Sequence, residues 1–165
     1  MVKTLLAMRH AQADFPSHVN SDYERPLTKG GTRDVALAAA LLLKRGTVPE
    51  RARASSALRA RQTALRVCEY LNMPVEAVDL EESLYLASPA TLIEHIQHTP
   101  DGVNTLLIVA HNPGMEELIY LLSNATVALP PAGLATINFN TPSWPAIGPA
   151  QGQLTHFFTP DINTA

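Results

Sequence analysis

A continuous apolar run in the second half of the chain constrains the fold more than any other feature. Residues 105–110 read Thr-Leu-Leu-Ile-Val-Ala, with only the first position polar. A strand of this kind is buried on both faces, which is typical of the central strands of a parallel sheet. The run therefore predicts a sheet that is covered on both sides by helices.

Strand-like and helix-like segments alternate around this run. Strands are predicted over 3–8, 51–55, 75–80, 105–110, 134–139 and 153–158, and helices over 28–45, 57–72, 88–98 and 113–123. Thr28 is a candidate N-cap of the first helix, and Gly46 is its candidate stop. This alternation predicts a three-layer αβα fold with a mostly parallel sheet and antiparallel strands late in the chain. We expect a single domain over 1–165.

Charge and cysteine content exclude several classes of protein. The net charge of -3 and the pI near 6.0 argue against general affinity for nucleic acid or for an anionic membrane. The single cysteine, Cys68, cannot form an internal disulfide, and no Cys/His spacing resembles a zinc site. The short apolar run after Lys3 is not a secretory leader, so we expect a cytoplasmic location.

Two predicted strands end in a histidine. His10 follows the first strand, and His111 follows the buried strand. Ligands of open α/β sheets collect beyond the carboxyl ends of the strands, so both imidazoles are expected in one crevice. These histidines are the first candidates for a functional site.

Arginines add to this pattern. Arg9 precedes the first histidine, Arg25 lies in the following loop, and Arg59 falls in the first turn of a predicted helix. A cation at that position opposes the helix dipole, and a bound anion would remove the conflict. Arg61 and Arg66 fit the same argument less well, and spacing does not choose among the three.

Histidines and arginines around one crevice suit phosphoryl transfer. Guanidinium groups match phosphate geometry, and a neutral imidazole is a competent nucleophile. Arginines can neutralise the phosphoryl oxygens, so we expect neither a metal ion nor another cofactor. A metal-dependent hydrolase is disfavoured, because no Asp or Glu adjoins either histidine.

Four ordered motifs resemble those of the histidine phosphatase superfamily, the phosphoglycerate-mutase-like enzymes. Met8-Arg9-His10-Ala11 is similar to its Arg-His-Gly opening, and 25–28 with Gly31 resembles the Arg-Pro-Leu-Thr-x-x-Gly element of the short SixA-type phosphohistidine phosphatases. Residues 55–63 and 110–114 resemble its Ser-Pro-x-x-Arg-Ala-x-Gln-Thr and Gly-His-Asn-Pro-Gly motifs. The resemblance implies a phosphoglycerate mutase-like fold without a large cap insertion.

The resemblance also implies a role for each candidate residue. His10 would be the nucleophile that becomes phosphohistidine, and His111 would stabilise the charge on the transferring group. Glu82 falls where larger relatives carry their proton-donating Glu, so it is the candidate general acid. The phosphoryl oxygens would be held by Arg9, Arg25 and Arg59.

Three residues depart from the family pattern by small changes. Ala11 and Ala110 replace glycines, and Ser56 replaces a proline. None of these changes removes a reacting group. If a positive φ or a close backbone approach were needed at Ala11, its methyl group would reduce catalysis.

The length of the chain bears on the substrate. Between Leu80 and His111 there is room for one helix and one strand, which implies an open site suited to phosphate on a protein surface. We therefore expect a phosphorylated protein, in particular a phosphohistidine domain, as the partner. A small phosphomonoester as the substrate, or a non-catalytic phosphate-binding module, are the alternatives.

Overall fold

The computed structural model describes residues 2–160 of the chain. Its helices and strands are β1 (Lys3–Arg9), α1 (Lys29–Arg45), β2 (Arg51–Ser55), α2 (Leu58–Tyr70), β3 (Val78–Glu81), α3 (Pro89–Gln97), β4 (Thr105–Ala110), α4 (Gly114–Ser123), β5 (Leu134–Phe139) and β6 (Gly152–Phe158). Single 3₁₀ turns lie at Asp22–Glu24, Val75–Ala77, Glu82–Leu84 and Trp144–Ala146. The domain predicted over 1–165 extends beyond this range at both ends and stays a prediction.

The six strands form one mixed sheet in the order β3-β2-β4-β1-β5-β6. The first four strands of that order pair in parallel, whereas β5 runs antiparallel to β1 and β6 antiparallel to β5. The predicted α/β class, with antiparallel strands late in the chain, is confirmed. β1 and β4 are neighbours at the centre of the sheet, so their carboxyl ends lie side by side.

Alternating side chains of the central strands divide the core into two halves. Leu5 and Leu106 pack with one group of residues, which includes side chains of α3 and α4. Leu6 and Leu107 point the other way and pack with side chains of α1 and α2. This period of two is the geometry of a strand, and it gives the sheet a helical layer on each face.

Local signals explain the ends of the first helix. The Thr28 hydroxyl accepts a hydrogen bond from the Gly31 N–H, as an N-cap does, and Gly46 ends the helix with a φ of 70°. A Cβ at Gly31 would lie 2.3 Å from the backbone oxygen of Gln12, so only glycine fits there. This close contact joins the start of α1 to the loop that follows β1.

The strand predicted over 75–80 is wrong in its first half. Val75–Ala77 forms a 3₁₀ turn after Pro74, and β3 begins only at Val78. Val75 is exposed, so this apolar residue is not part of the sheet. None of the helices within residues 2–160 is long and apolar enough to cross a membrane.

Candidate functional site

The two strand-end histidines meet at the centre of the sheet. Arg9, the last residue of β1, is paired with Ala110, the last residue of β4, and the His10 N–H donates to the Ala110 carbonyl over 3.1 Å. The ring centroids of His10 and His111 are 5.2 Å apart. The structure therefore brings both predicted histidines into one place.

Hydrogen bonds fix the tautomer of His10. Its Nδ1 lies 2.8 Å from the backbone oxygen of Ala11, and because a carbonyl only accepts, Nδ1 carries the proton. Nε2 is then unprotonated in the neutral ring, and it accepts from Nε of Arg59 over 3.3 Å. The lone pair that a nucleophile needs is thus on the atom that faces the arginine.

Burial keeps this imidazole neutral. His10 is 8% exposed, and burial together with the charges of Arg59, Arg9 and Arg25 lowers its pKa to about 4. A neutral ring is the reactive form of a histidine nucleophile.

Ala11 fits its position without backbone strain. It does not have a positive φ, and its N–H donates to the Thr63 hydroxyl over 3.0 Å. Its carbonyl is the acceptor that orients His10, so the methyl group that replaces the family glycine leaves this contact intact.

Arg59 is the arginine of α2 that reaches the site. It is 3% exposed, whereas Arg61 and Arg66 are exposed on the same helix. Its guanidinium donates to the backbone oxygen of Asp22 over 2.7 Å and to the Asp22 carboxylate over 2.9 Å. Sequence spacing did not distinguish Arg59 from Arg61 and Arg66; in the structure, the face of α2 that packs against the sheet carries Arg59.

The carboxylate of Asp22 is the anion that binds Arg59 in the first turn of α2. Its carboxylate also accepts from Arg25 over 3.1 Å and from the Tyr85 hydroxyl over 2.5 Å. The hydrogen bond from Tyr85, with those from the two arginines, holds the pKa of Asp22 well below its usual range. The sequence analysis did not predict Asp22 or Tyr85 as part of the site. The spacing of Asp22 three positions before Arg25 could have indicated an ion pair between the two.

His111 is held from the side of β2. Its Nε2 lies 2.7 Å from the Ser55 hydroxyl, and burial, followed by the charges of His10 and Arg59, lowers its pKa to about 3. The Tyr85 ring stands edge-on to it at 5.4 Å. Like His10, His111 is a neutral imidazole at physiological pH.

Two buried polar atoms of the site have no hydrogen-bond partner within residues 2–160. They are Nδ1 of His111 and Nε of Arg9. Arg9 donates instead through Nη1 to the Leu129 carbonyl over 3.1 Å. Buried polar groups are nearly always paired, so these two atoms are exceptions within the site.

Glu82 lies at the same edge of the sheet but makes no contact of this kind. It follows β3 directly, its side chain is exposed, and no side-chain hydrogen bond of Glu82 is found in the described part of the chain. Tyr85, which directly follows the 3₁₀ turn Glu82–Leu84, reaches Asp22 instead. The role of Glu82 as a proton donor stays a prediction.

We call His10, His111, Arg9, Arg25 and Arg59 the strand-end pocket. It combines a neutral imidazole lone pair with three guanidinium groups whose charges act on His10. Residues 2–160 contain no group of three or more His, Cys, Asp or Glu side chains placed to hold a metal ion. The pocket is suited to bind an oxyanion and to attack it from a nitrogen atom.

Comparison with known proteins identifies the family. The family model of the histidine phosphatase superfamily (branch 1) matches residues 5–84. The uncharacterized protein Rv1276c of Mycobacterium tuberculosis (strain H37Rv) is 32% identical over 164 residues, covering 93% of this chain and 99% of the relative. The chain belongs to the histidine phosphatase superfamily.

Two further comparisons show that the chain is similar to SixA in sequence and in fold. The phosphohistidine phosphatase SixA of Escherichia coli (strain K12) is 34% identical over 107 residues, covering 64% of this chain and 65% of SixA. A structure of the protein histidine phosphatase SixA complexed with tungstate matches with a TM-score of 0.81 at 24% identity, over 95% of this chain and 97% of the other. Family membership and the fold support phosphatase activity.

Proposed function

We propose that the chain is a metal-independent phosphatase that works through a phosphohistidine intermediate on His10, with phosphohistidine on a protein as its substrate. The geometry of His10 carries the proposal. This buried neutral imidazole has its proton on Nδ1, and its unprotonated Nε2 accepts a hydrogen bond from Arg59 Nε over 3.3 Å. An ordinary structural histidine does not need an unprotonated nitrogen directed at a cation.

The first step is attack of His10 Nε2 on phosphorus. The new P–N bond forms as the bond from phosphorus to the substrate nitrogen or oxygen breaks, and the leaving group takes the electron pair and a proton. Glu82 is the predicted source of that proton. Water then attacks phosphorus and gives a proton back to Glu82, while the P–N bond breaks and its electron pair returns to Nε2, so that inorganic phosphate leaves and His10 is again neutral.

Guanidinium groups supply the charge stabilisation that this transfer needs. Arg9, Arg25 and Arg59 are proposed to bind the phosphoryl oxygens, with His111 completing the pocket. In the structure, Arg25 and Arg59 bind the Asp22 carboxylate, which shows that these two cations can converge on one anionic group. A phosphoryl group is proposed to take over these donors.

Two observations support a protein as the phosphate carrier. One relative, SixA of Escherichia coli, is named a phosphohistidine phosphatase. The segment between β3 and His111 holds only a 3₁₀ turn, α3 and β4, so this segment adds no long insertion to the site. A site without such an insertion offers few contacts to the remote parts of a small substrate, which favours a macromolecular one.

The proposal is tested by assaying the pure protein in EDTA against a phosphohistidine peptide and a set of phosphomonoesters. Turnover should be retained in the chelator, and His10→Ala should lower kcat by at least about a thousandfold, as expected for loss of a nucleophile. His98→Ala is the matched control, because His98 is exposed at the end of α3. Near-normal activity of His10→Ala would refute the mechanism.

A further inference from the structure

The segment that joins α4 to β5, residues 124–133, is held against the end of β1. The Arg9 N–H donates to the Gly133 carbonyl over 3.0 Å. The Ala132 N–H donates toward the carbonyls of Arg9 and His10, at 3.2 and 3.0 Å. This segment therefore borders the strand-end pocket, and its backbone contacts two residues of that pocket directly.

The carbonyl of Leu129, in the same segment, orients the side chain of Arg9. Nη1 of Arg9 donates to this carbonyl over 3.1 Å, whereas Nε of Arg9 is buried and has no hydrogen-bond partner within residues 2–160. Arg9 also takes part in none of the ion pairs found among these residues. The position of the Arg9 guanidinium therefore depends on the position of the Leu129 backbone.

Two side chains near the start of α4 fix the Leu129 backbone. Glu116, in the first turn of α4, accepts from the Leu129 N–H over 2.7 Å. Asn112, which follows His111, donates through Nδ2 to the Leu129 carbonyl over 2.9 Å. The Glu116 N–H donates to Asn112 Oδ1 over 3.3 Å, which closes a ring of hydrogen bonds through three residues. Both polar groups of the buried Leu129 backbone are thus fixed by side chains.

The charge of Glu116 also acts on Arg9. Burial lowers the pKa of the Arg9 guanidinium, and the charge of the Glu116 carboxylate acts against this lowering. The Leu129 backbone lies between the two groups, since its N–H donates to the carboxylate and its carbonyl accepts from the guanidinium. Because Glu116 acts through this backbone, it holds the arginine without competing directly with a phosphoryl group for the same donors.

We propose that Glu116 is a positioning residue: together with Asn112, it holds the Leu129 backbone where its carbonyl directs Arg9 toward the phosphoryl group. The inference rests on the proposed function, in which Arg9 binds phosphoryl oxygens. Accurate placement of such a group matters, because a displacement of about 1 Å can cost about a hundredfold in rate. Glu116 acts on the reaction through Arg9, so its effect should vanish when the Arg9 side chain is absent.

The alternative role for Glu116 is general support of α4. Acidic residues in the first turn of a helix are stabilising, and Glu116 shares this turn with Glu117. Glu117 is exposed, and no side-chain hydrogen bond of Glu117 is found in the described part of the chain. Glu117→Ala is therefore the matched control, because it removes the same charge from the same helical turn and leaves the contact with Leu129 intact.

A double-mutant cycle tests whether Glu116 acts through Arg9. We would measure kcat/KM on a phosphohistidine peptide for the wild type, Glu116→Ala, Arg9→Ala and the double variant. Glu116→Ala should lower kcat/KM by about tenfold or more, and Arg9→Ala by about a hundredfold or more. In the Arg9→Ala background, Glu116→Ala should change kcat/KM by less than about twofold, because both substitutions remove one contact. Glu117→Ala should stay within about twofold of the wild type.

Two conservative variants separate the hydrogen bond from the charge. Glu116→Gln loses the charge but keeps an oxygen that can accept from the Leu129 N–H, so kcat/KM should return to within about threefold of the wild type. Glu116→Asp keeps the charge but is one methylene shorter, so it should lose activity in the same direction as Glu116→Ala. Thermal unfolding checks that each variant is folded, and Glu116→Asp takes the place of Glu116→Ala in the cycle if the alanine variant is not.

The proposal would be overturned by any of three results. These are a loss in Glu116→Ala no larger than that in Glu117→Ala, an equal loss with and without the Arg9 side chain, or higher activity of Glu116→Asp than of Glu116→Gln. The last order is the one expected for a helix-dipole role. No turnover by the wild type, or full activity of Arg9→Ala, would instead refute the proposed function, so the two failures are distinguishable.

Discussion

Replacing Arg59 with alanine tests how the strand-end pocket holds an oxyanion. Tungstate and vanadate imitate the transferring phosphoryl group and should bind where Arg59 converges with Arg25. A hydrogen bond to a charged group contributes about 1.5–3 kcal/mol, and Arg59 offers two such donors. In the free protein both donors already bind Asp22, so the oxyanion replaces these bonds and does not add to them.

Because of this exchange, we expect Arg59→Ala to lose binding free energy for tungstate near the lower end of that range, about 2 kcal/mol. This loss corresponds to about a 30-fold rise in the Kd. Titration calorimetry at constant ionic strength measures the Kd, and thermal unfolding checks that the variant remains folded. Arg61→Ala is the matched control, because Arg61 is exposed two residues further along α2, and its Kd should change less than about twofold. A Kd for Arg59→Ala within threefold of the wild type, with a large loss in Arg61→Ala, would refute the assignment of the helix face.

Three further variants test the electrostatics. Asp22→Asn should bind tungstate about fivefold more tightly, about 1 kcal/mol, because a competing carboxylate is removed; titration calorimetry at low and high salt measures the gain. The pKa values of His10 and His111 are lowered to about 4 and about 3, so the folded protein resists protonation of both rings and loses stability as pH falls below 6.5. Each ring contributes a loss of about 2 kcal/mol between pH 7 and 4.5, and urea unfolding of His10→Ala should show a pH-dependent loss smaller than that of the wild type by about this amount. Glu82→Gln should lower kcat on an alkyl phosphomonoester more than on a phosphohistidine peptide, because an alkoxide needs the proton more; equal kcat ratios would remove Glu82 as the general acid.

Much of the fold follows from local patterns. The run 105–110 predicted β4 with its observed bounds, and Thr28 and Gly46 marked both ends of α1. These signals are strong because each depends on a single local cause, either burial on two faces or the satisfaction of helix-end hydrogen bonds. Pro74 and exposed Val75 show the limit, since apolar β-branched residues predicted a strand where a 3₁₀ turn forms.

The spacing of residues in the sequence could not determine which face of α2 is buried. The larger apolar residues Leu58 and Leu65 are only half-buried, while the buried face carries small residues such as Ala60 and Ala64. Small side chains let the helix lie close to the sheet, and they carry almost no hydrophobic signal of their own. Arg59 is buried on this face, and sequence periodicity therefore gave no reason to prefer it.

The histidine pair was predictable, and its partners were not. Parallel neighbours end at the same edge of a sheet, so His10 and His111 follow from topology alone. Asp22 and Tyr85 arrive from 3₁₀ turns that are far apart in sequence, and they meet only through side-chain hydrogen bonds. Hydrophobic periodicity in the sequence therefore could not predict the contact between Asp22 and Tyr85.

The central claim is that the phosphoryl group passes through His10. The most direct measurement is rapid quenching of the wild type during turnover, followed by mass spectrometry at alkaline pH to locate acid-labile phosphate. The account predicts one phosphoryl group on the peptide that contains His10, and none on that peptide in His10→Ala. Phosphate on a different residue, or steady turnover of the wild type with no phosphorylated His10 at any time point, would contradict it.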